Sequence, residues 1–225
     1  SSARMSKYMH YAIAVKHENI WIAQREGRAK DSDDRTQDAI LKMMAMGGEG
    51  TVTERLKQLN LVPTALSYEY DPCDYLKAQE FQQKRDIKNF KKSPADDLAN
   101  MQTGIFGYKG RICFRMASPL NDWLDTLPAD MPKTELFTTI AAHIDREIHR
   151  NYQLYPGNYA AADMLNGGHD FAHHYTPEEK ARFEAYLESR IEKVVLPQPD
   201  TAFLRERILT MYANPVFNHI AATRQ

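Results

Sequence analysis

Glu26, Gly27, Arg28 and Lys30 follow a short apolar run, Ile20 Trp21 Ile22 Ala23, and form a charged turn with Arg25 and Asp31. Two cations this close to a glycine suit an anionic ligand, a phosphate above all, held by charge-assisted hydrogen bonds. Glu26 can accept from a hydroxyl of such a ligand or fix the arginine in place. Gly27 supplies the backbone freedom that a strand-ending turn needs. The same residues also read as a solvated turn with local ion pairs, which contribute little. Both readings stand on the residues alone.

Other groups offer weaker chemistry. His169 and His173 are four apart, a spacing that can present two metal ligands on one helical face. Gly167 and Gly168 precede them and argue against a helix, so a loop with surface histidines is the plainer reading. His143 and Asp145 are two apart and face different sides of a helix. His143 with Glu147 has the spacing of a structural pair. No serine or cysteine sits in a Gly-x-Ser-x-Gly elbow. The glycines at 104, 107 and 110 lack the Lys-Ser/Thr ending of a phosphate loop. Lys84, Lys88, Lys91 and Lys92 could touch anionic lipid. Glu80, Asp86, Asp96 and Asp97 dilute that charge and favour a solvated face.

The elements that must position these residues follow from periodicity. Met5, Tyr8, Met9, Ala12 and Ile13 recur at helical spacing near the start. The run at 20–24 reads as a short buried strand, in which case the charged turn sits at a strand's carboxyl end, where open α/β sheets bind ligands. Thr36 suits an N-cap for a Met-rich helix that ends at Gly47 Gly48. Thr51 and Glu54 make a capping box. Residues 61–70 read as a second strand and 111–117 as a third, with helices between them from Asp71 Pro72 to about Lys92 and from Ser93 Pro94 onward. This order predicts an α/β fold with a partial, mostly parallel sheet flanked by helices over residues 1–130. From 131 to 225 only helices are expected. Thr176 Pro177 with Glu179 starts one of them, and Ala202 to Tyr212 forms the last, before Asn214 Pro215.

Composition narrows the partners. The chain has 225 residues, 29 Lys and Arg, and 30 Asp and Glu, so a net charge of −1 gives no global electrostatic case for nucleic acid. Cys73 and Cys113 are far apart and suggest neither a disulfide framework nor a zinc pattern, so a reduced, cytoplasmic setting is the simple expectation. No apolar run approaches the ~20 residues that span a bilayer. The sequence opens without Met and in mid-helix, which leads us to expect an upstream segment.

Residues 23–31 and then Leu61 Val62 Pro63 resemble the second half of the glycerolipid acyltransferase family, the glycerol-3-phosphate and 1-acylglycerol-3-phosphate acyltransferases. The third motif of that family is a strand followed by Phe-Pro-Glu-Gly-Thr-Arg-Ser, and its fourth is a short strand with Val-Pro. Glu26 Gly27 matches the former and Val62 Pro63 the latter. The resemblance covers roughly residues 4–120. Gln24 Arg25 stands for Phe-Pro, Arg28 for Thr, Ala29 for Arg and Lys30 for Ser, so the cations flank the usual arginine position. The first family motif, His followed by Asp five positions on, is absent from all eight histidines.

The resemblance implies an O-acyltransferase of phospholipid biosynthesis. A fatty acyl group would move from acyl-CoA or acyl-carrier protein, as co-substrate and with no other cofactor, to a hydroxyl of glycerol phosphate or a lysophospholipid. In the family the first-motif His is the general base and its Asp orients it, while nearby donors stabilise the oxyanion. Here Glu26, Gly27, Arg28 and Lys30 would bind the acceptor, and the chain alone would lack the catalytic pair. No metal site is expected. The setting would be cytoplasmic, peripheral at the inner face of the membrane. Acylation of another lipid acceptor, such as a hydroxyacyl amino acid, and a non-catalytic module for phosphate or lipid headgroups remain alternatives.

Overall fold

In the computed structural model, residues 2–25 and 30–224 are described, and they divide into two compact units. Unit 1 holds the chain to residue 28, 34–65 and 115–151; unit 2 holds 29–33, 66–114 and 152–225. The expected boundary at 130 falls inside unit 1.

Unit 1 is helical. It contains α1 (Ser2–Ala14), α2 (Asp38–Met44), α3 (Val52–Gln58), α6 (Asn121–Leu124) and α7 (Lys133–Arg150). Helix α1 buries Met9 and Ala12, while Met5 and Tyr8 stay exposed. Leu41, Leu56, Leu120, Leu124 and Ile140 are fully enclosed, each contributing about 1.5–3 kcal/mol on burial. Ser6 Oγ donates to the Met44 carbonyl and accepts from Gly47 N–H, both at 2.8 Å. His10 Nε2 lies 3.1 Å from the same carbonyl, and because a carbonyl only accepts, Nε2 carries the proton. A Cβ on Gly47 would sit 2.7 Å from the His10 ring, so only glycine allows this approach.

Two expectations fail in unit 1. Residues 20–24 form no strand: Trp21 is 67% exposed, and Gln24 accepts one backbone bond from Gln37 N–H at 2.9 Å. An apolar run becomes a strand only when a second backbone pairs along it, and among the described residues none does. Thr36 is not a cap. Its N–H and hydroxyl both donate to Asp145 Oδ1, at 2.8 and 2.6 Å, and Gln37 takes the cap position of α2. The Thr51–Glu54 capping box forms as expected.

The sheet among the described residues has two strands, β1 (Thr64–Tyr68) and β2 (Ile112–Met116). Glu69 N–H donates to Arg111 O at 2.9 Å and, at the other end, Ala117 N–H donates to Pro63 O at 2.9 Å, so the pair is antiparallel. This corrects the expected parallel sheet. A parallel crossover needs its helices to cover the sheet. The helices between these strands are α4 (Asp74–Asp86) and α5 (Pro94–Phe106). Helix α4 packs on other helices, and α5 has no buried residue among those described.

Unit 2 is built round α10 (Thr201–Thr223), which packs against α4, α8 (Pro156–Asn166) and α9 (Pro177–Ile191). Ala160, Ala161 and Ala162 are fully buried, and Asn158 Nδ2 donates to the Tyr212 carbonyl at 2.9 Å. Helix α10 runs through Pro215, where the sequence predicts a stop. The proline forfeits one amide bond, but Ala213 and Val216 on either side are fully buried, and their packing carries the helix onward. Helix α4 begins three residues after Asp71 and ends at Asp86, short of the expected Lys92. After Met116 the described residues are helix, turn and loop only, as expected.

One buried network ties α4, α9 and α10 together. Asp74 is fully enclosed; its carboxylate accepts from Arg190 Nε at 2.6 Å, Tyr186 OH at 2.6 Å, Tyr212 OH at 2.8 Å and Tyr75 N–H at 2.7 Å. Arg190 Nη2 also donates to the Pro72 carbonyl at 2.7 Å. Burial pushes the Tyr212 and Tyr186 hydroxyls well above their ordinary range, and the Asp74 charge adds to it. Burial works against the Arg190 charge, but the Asp74 carboxylate more than restores it. Burial pushes the Asp74 carboxyl above its ordinary range, and the Arg190 charge and the tyrosine hydroxyls pull against that rise.

Candidate functional site

Of the four residues singled out in the charged turn, Glu26, Gly27 and Arg28 lie outside the described residues. Lys30 is described, and its position is built from α10. Asn214 Nδ2 donates to the Asp31 carbonyl at 2.8 Å, and Asn218 Nδ2 donates to Asp33 Oδ1 at 2.9 Å. The two asparagines are four apart, so one face of α10 holds the segment that carries Lys30.

From there the Lys30 ammonium pairs with Glu80 Oε1 on α4. Glu80 is 3% exposed. Lys84, one turn further along α4, lies 2.9 Å from Oε1, and Lys92, just before α5, lies 2.6 Å from Oε2. Lys92 is placed by the start of α5, where Ser93 and Asp96 form a capping box. Three cations from three segments of unit 2 therefore meet on one buried carboxylate.

The electrostatics follow from that ratio. Burial pushes the Glu80 carboxyl up, but hydrogen bonds from Lys30, Lys92 and Lys84 outweigh it and hold the group at about 2. Burial lowers the Lys30 ammonium below the ordinary lysine range, and neighbouring Lys84 adds to the fall against the pull of Glu80. Lys84, which is half exposed, is raised by Glu80. One negative charge cannot neutralise three positive ones, so these four groups carry a surplus of positive charge. Each ammonium has three donors. Beyond the contact to Glu80, the Lys30, Lys84 and Lys92 side chains stay 27%, 50% and 22% exposed.

Comparison with family models, with curated proteins and with solved structures finds no match.

The cluster gathers donors for an anion, and its one carboxylate, Glu80, is held ionised by its cations and takes up a proton poorly at neutral pH. The other sequence candidates fall elsewhere. His143 stacks on Trp123 with ring centroids 3.7 Å apart, and Arg146 Nη2 lies 3.0 Å from its Nδ1. His169 precedes a short 3-10 turn, Ala172–His174, in which His174 stacks on Tyr159 at 4.0 Å. Among the described residues no three His, Cys, Asp or Glu side chains group so as to hold a metal. Val62 and Pro63 lie in unit 1, just before β1.

In the sequence Glu80 reads as a charge that dilutes a basic helix; in the fold it is the hub of the cluster. The i,i+4 spacing of Glu80 and Lys84 was visible. The join to Lys30, fifty positions away, had no local signal.

Proposed function

We propose that this chain is the acceptor-binding portion of an O-acyltransferase of phospholipid biosynthesis. The acyl group would pass from a thioester donor, acyl-CoA or acyl-carrier protein, to a hydroxyl of a glycerol-phosphate-type acceptor. The observation that carries this reading is the convergence of Lys30, Lys84 and Lys92 on Glu80. Glu80 holds the three ammonium groups together against their mutual repulsion, and their open donors suit the oxygens of a phosphate. The resemblance of Glu26 Gly27 and Val62 Pro63 to the acyltransferase motifs supports the choice of acceptor.

A membrane-bound acceptor calls for a membrane-facing surface. Helix α5 supports one: Leu98, Met101 and Ile105 share a face at i, i+3 and i+7, and they are 56, 55 and 61% exposed, with Phe106 at 84%. Lys88 and Lys91 precede the helix and are exposed. An apolar stripe flanked by cations suits peripheral contact with anionic lipid. No helix among the described residues is long and apolar enough to cross a membrane.

The test is calorimetric titration of the chain with glycerol-3-phosphate and with glycerol, followed by incubation with acyl-CoA and the phosphate. Saturable binding of the phosphate alone, without acyl transfer, is expected, since no His-x4-Asp pair is present. Equal binding of glycerol, or no binding of the phosphate, contradicts the reading. Turnover would assign the catalytic base to this chain.

A further inference from the structure

A second feature of unit 2 lies apart from the lysine cluster. A cleft of about 330 Å³ opens beside the end of α9, lined by Tyr75, Tyr108, Tyr186, Ser189, Arg190 and Lys193 among others. Its size falls at the lower end of small-molecule sites. Tyr186, Ser189, Arg190 and Lys193 are spaced i, i+3, i+4 and i+7, so the end of α9 and the turn after it present them on one side.

The walls are aromatic and the floor is cationic. The Arg190 guanidinium carbon lies 4.6 Å from the Tyr75 ring centre and 5.5 Å from that of Tyr186. Its Nε and Nη2 are spent on Asp74 and Pro72, which fixes the plane of the group. Its Nη1 makes no hydrogen bond among the described residues. Lys193 is exposed and has no ion pair among them either. Asp74 balances the Arg190 charge and leaves that of Lys193 unbalanced.

The mouth is shaped by Gly107 and Tyr108. A Cβ on Gly107 would meet Pro72 Cβ at 2.4 Å and the Thr103 carbonyl at 2.5 Å, so the chain passes here only as glycine. That passage places Tyr108 at the rim, 75% exposed and stacked on Tyr70 at 5.9 Å. A tyrosine held this far into solvent beside two others offers a ring face to a flat ligand.

We infer that this cleft binds a small aromatic carboxylate, with its ring among Tyr75, Tyr108 and Tyr186 and its single negative charge between Arg190 Nη1 and Lys193. One unbalanced cation beside a preset guanidinium edge matches a monoanion. The site is separate from the lysine cluster and independent of the acyltransferase reading.

Indole-3-acetate is the probe, titrated by calorimetry against the whole chain. One saturable site is expected, with a dissociation constant below about 1 mM. Indole-3-acetamide, which keeps the ring and loses the charge, should bind about tenfold or more weakly, and Lys193→Glu should weaken indole-3-acetate by a similar factor. Tyr108→Ala should weaken both ligands. Lys193 and Tyr108 are exposed, so these variants keep the fold, which circular dichroism checks. Lys92→Ala and excess inorganic phosphate should leave binding unchanged. No saturation, equal affinity for the acetamide, indifference to Lys193→Glu, or displacement by phosphate would each overturn the inference.

Discussion

Lys30 and Glu80 stand fifty positions apart in the chain and pair through their charged ends, with Glu80 buried and Lys30 partly exposed. Lys84 and Lys92 join the same carboxylate. The positive charge that the sequence places in a turn is thus gathered onto a helix.

Removing the hub should loosen the cluster and change its response to acid. The folded Glu80 carboxyl titrates at about 2, below its ordinary 4.5. The unfolded chain therefore takes up this proton first as pH falls. The stabilisation is full above about pH 4.5 and is lost progressively toward pH 2, on the order of 2 kcal/mol once solvent screening is allowed for. Glu80→Gln should lower the urea midpoint at pH 7, and the gap from the wild type should shrink as pH falls through this window. A gap that stays constant would mean that the lysines do not set the Glu80 titration.

Breaking the Asp74 network should cost more. Asp74→Asn leaves the Arg190 guanidinium, itself 8% exposed, without its counter-charge, a loss of about 3–5 kcal/mol for a buried pair. Tyr186→Phe removes one neutral donor and should cost about 1–2 kcal/mol. Chemical denaturation of the two variants checks the order, and a smaller loss for Asp74→Asn than for Tyr186→Phe would contradict it.

The exposed face of α5 predicts a change in binding without a change in stability. Leu98→Glu and Ile105→Glu alter side chains that are 56 and 61% exposed. Both should reduce co-sedimentation with vesicles containing phosphatidylserine or phosphatidylglycerol, while the unfolding free energy stays within about 0.5 kcal/mol of the wild type. Unchanged sedimentation would remove α5 from the membrane contact.

Signals that act over a few residues are legible in the sequence. The capping residues Thr51, Ser93 and Thr176 each start the helix they announce, because a cap needs only the next three residues. Signals that depend on distant partners are not. The run at 20–24 has the composition of a strand but gains no partner strand among the described residues. Pro215 reads as a stop, but packing of α10 in the unit 2 core carries the helix through. Asp74 and Arg190, 116 positions apart, carried no mark of their pairing. In the candidate site, Lys30 was legible as an anion ligand and Lys84 and Lys92 as a basic stretch, but nothing in the sequence showed that Glu80 unites them.

The most direct measurement is the affinity of the chain for glycerol-3-phosphate in the wild type and in Lys30→Ala and Lys92→Ala, taken at one fixed salt concentration. Each substitution removes one charge-assisted contact, and each should weaken binding by about 1.5–3 kcal/mol, a factor of tenfold or more. Affinities unchanged in both variants would show that the lysine cluster on Glu80 does not hold the phosphate.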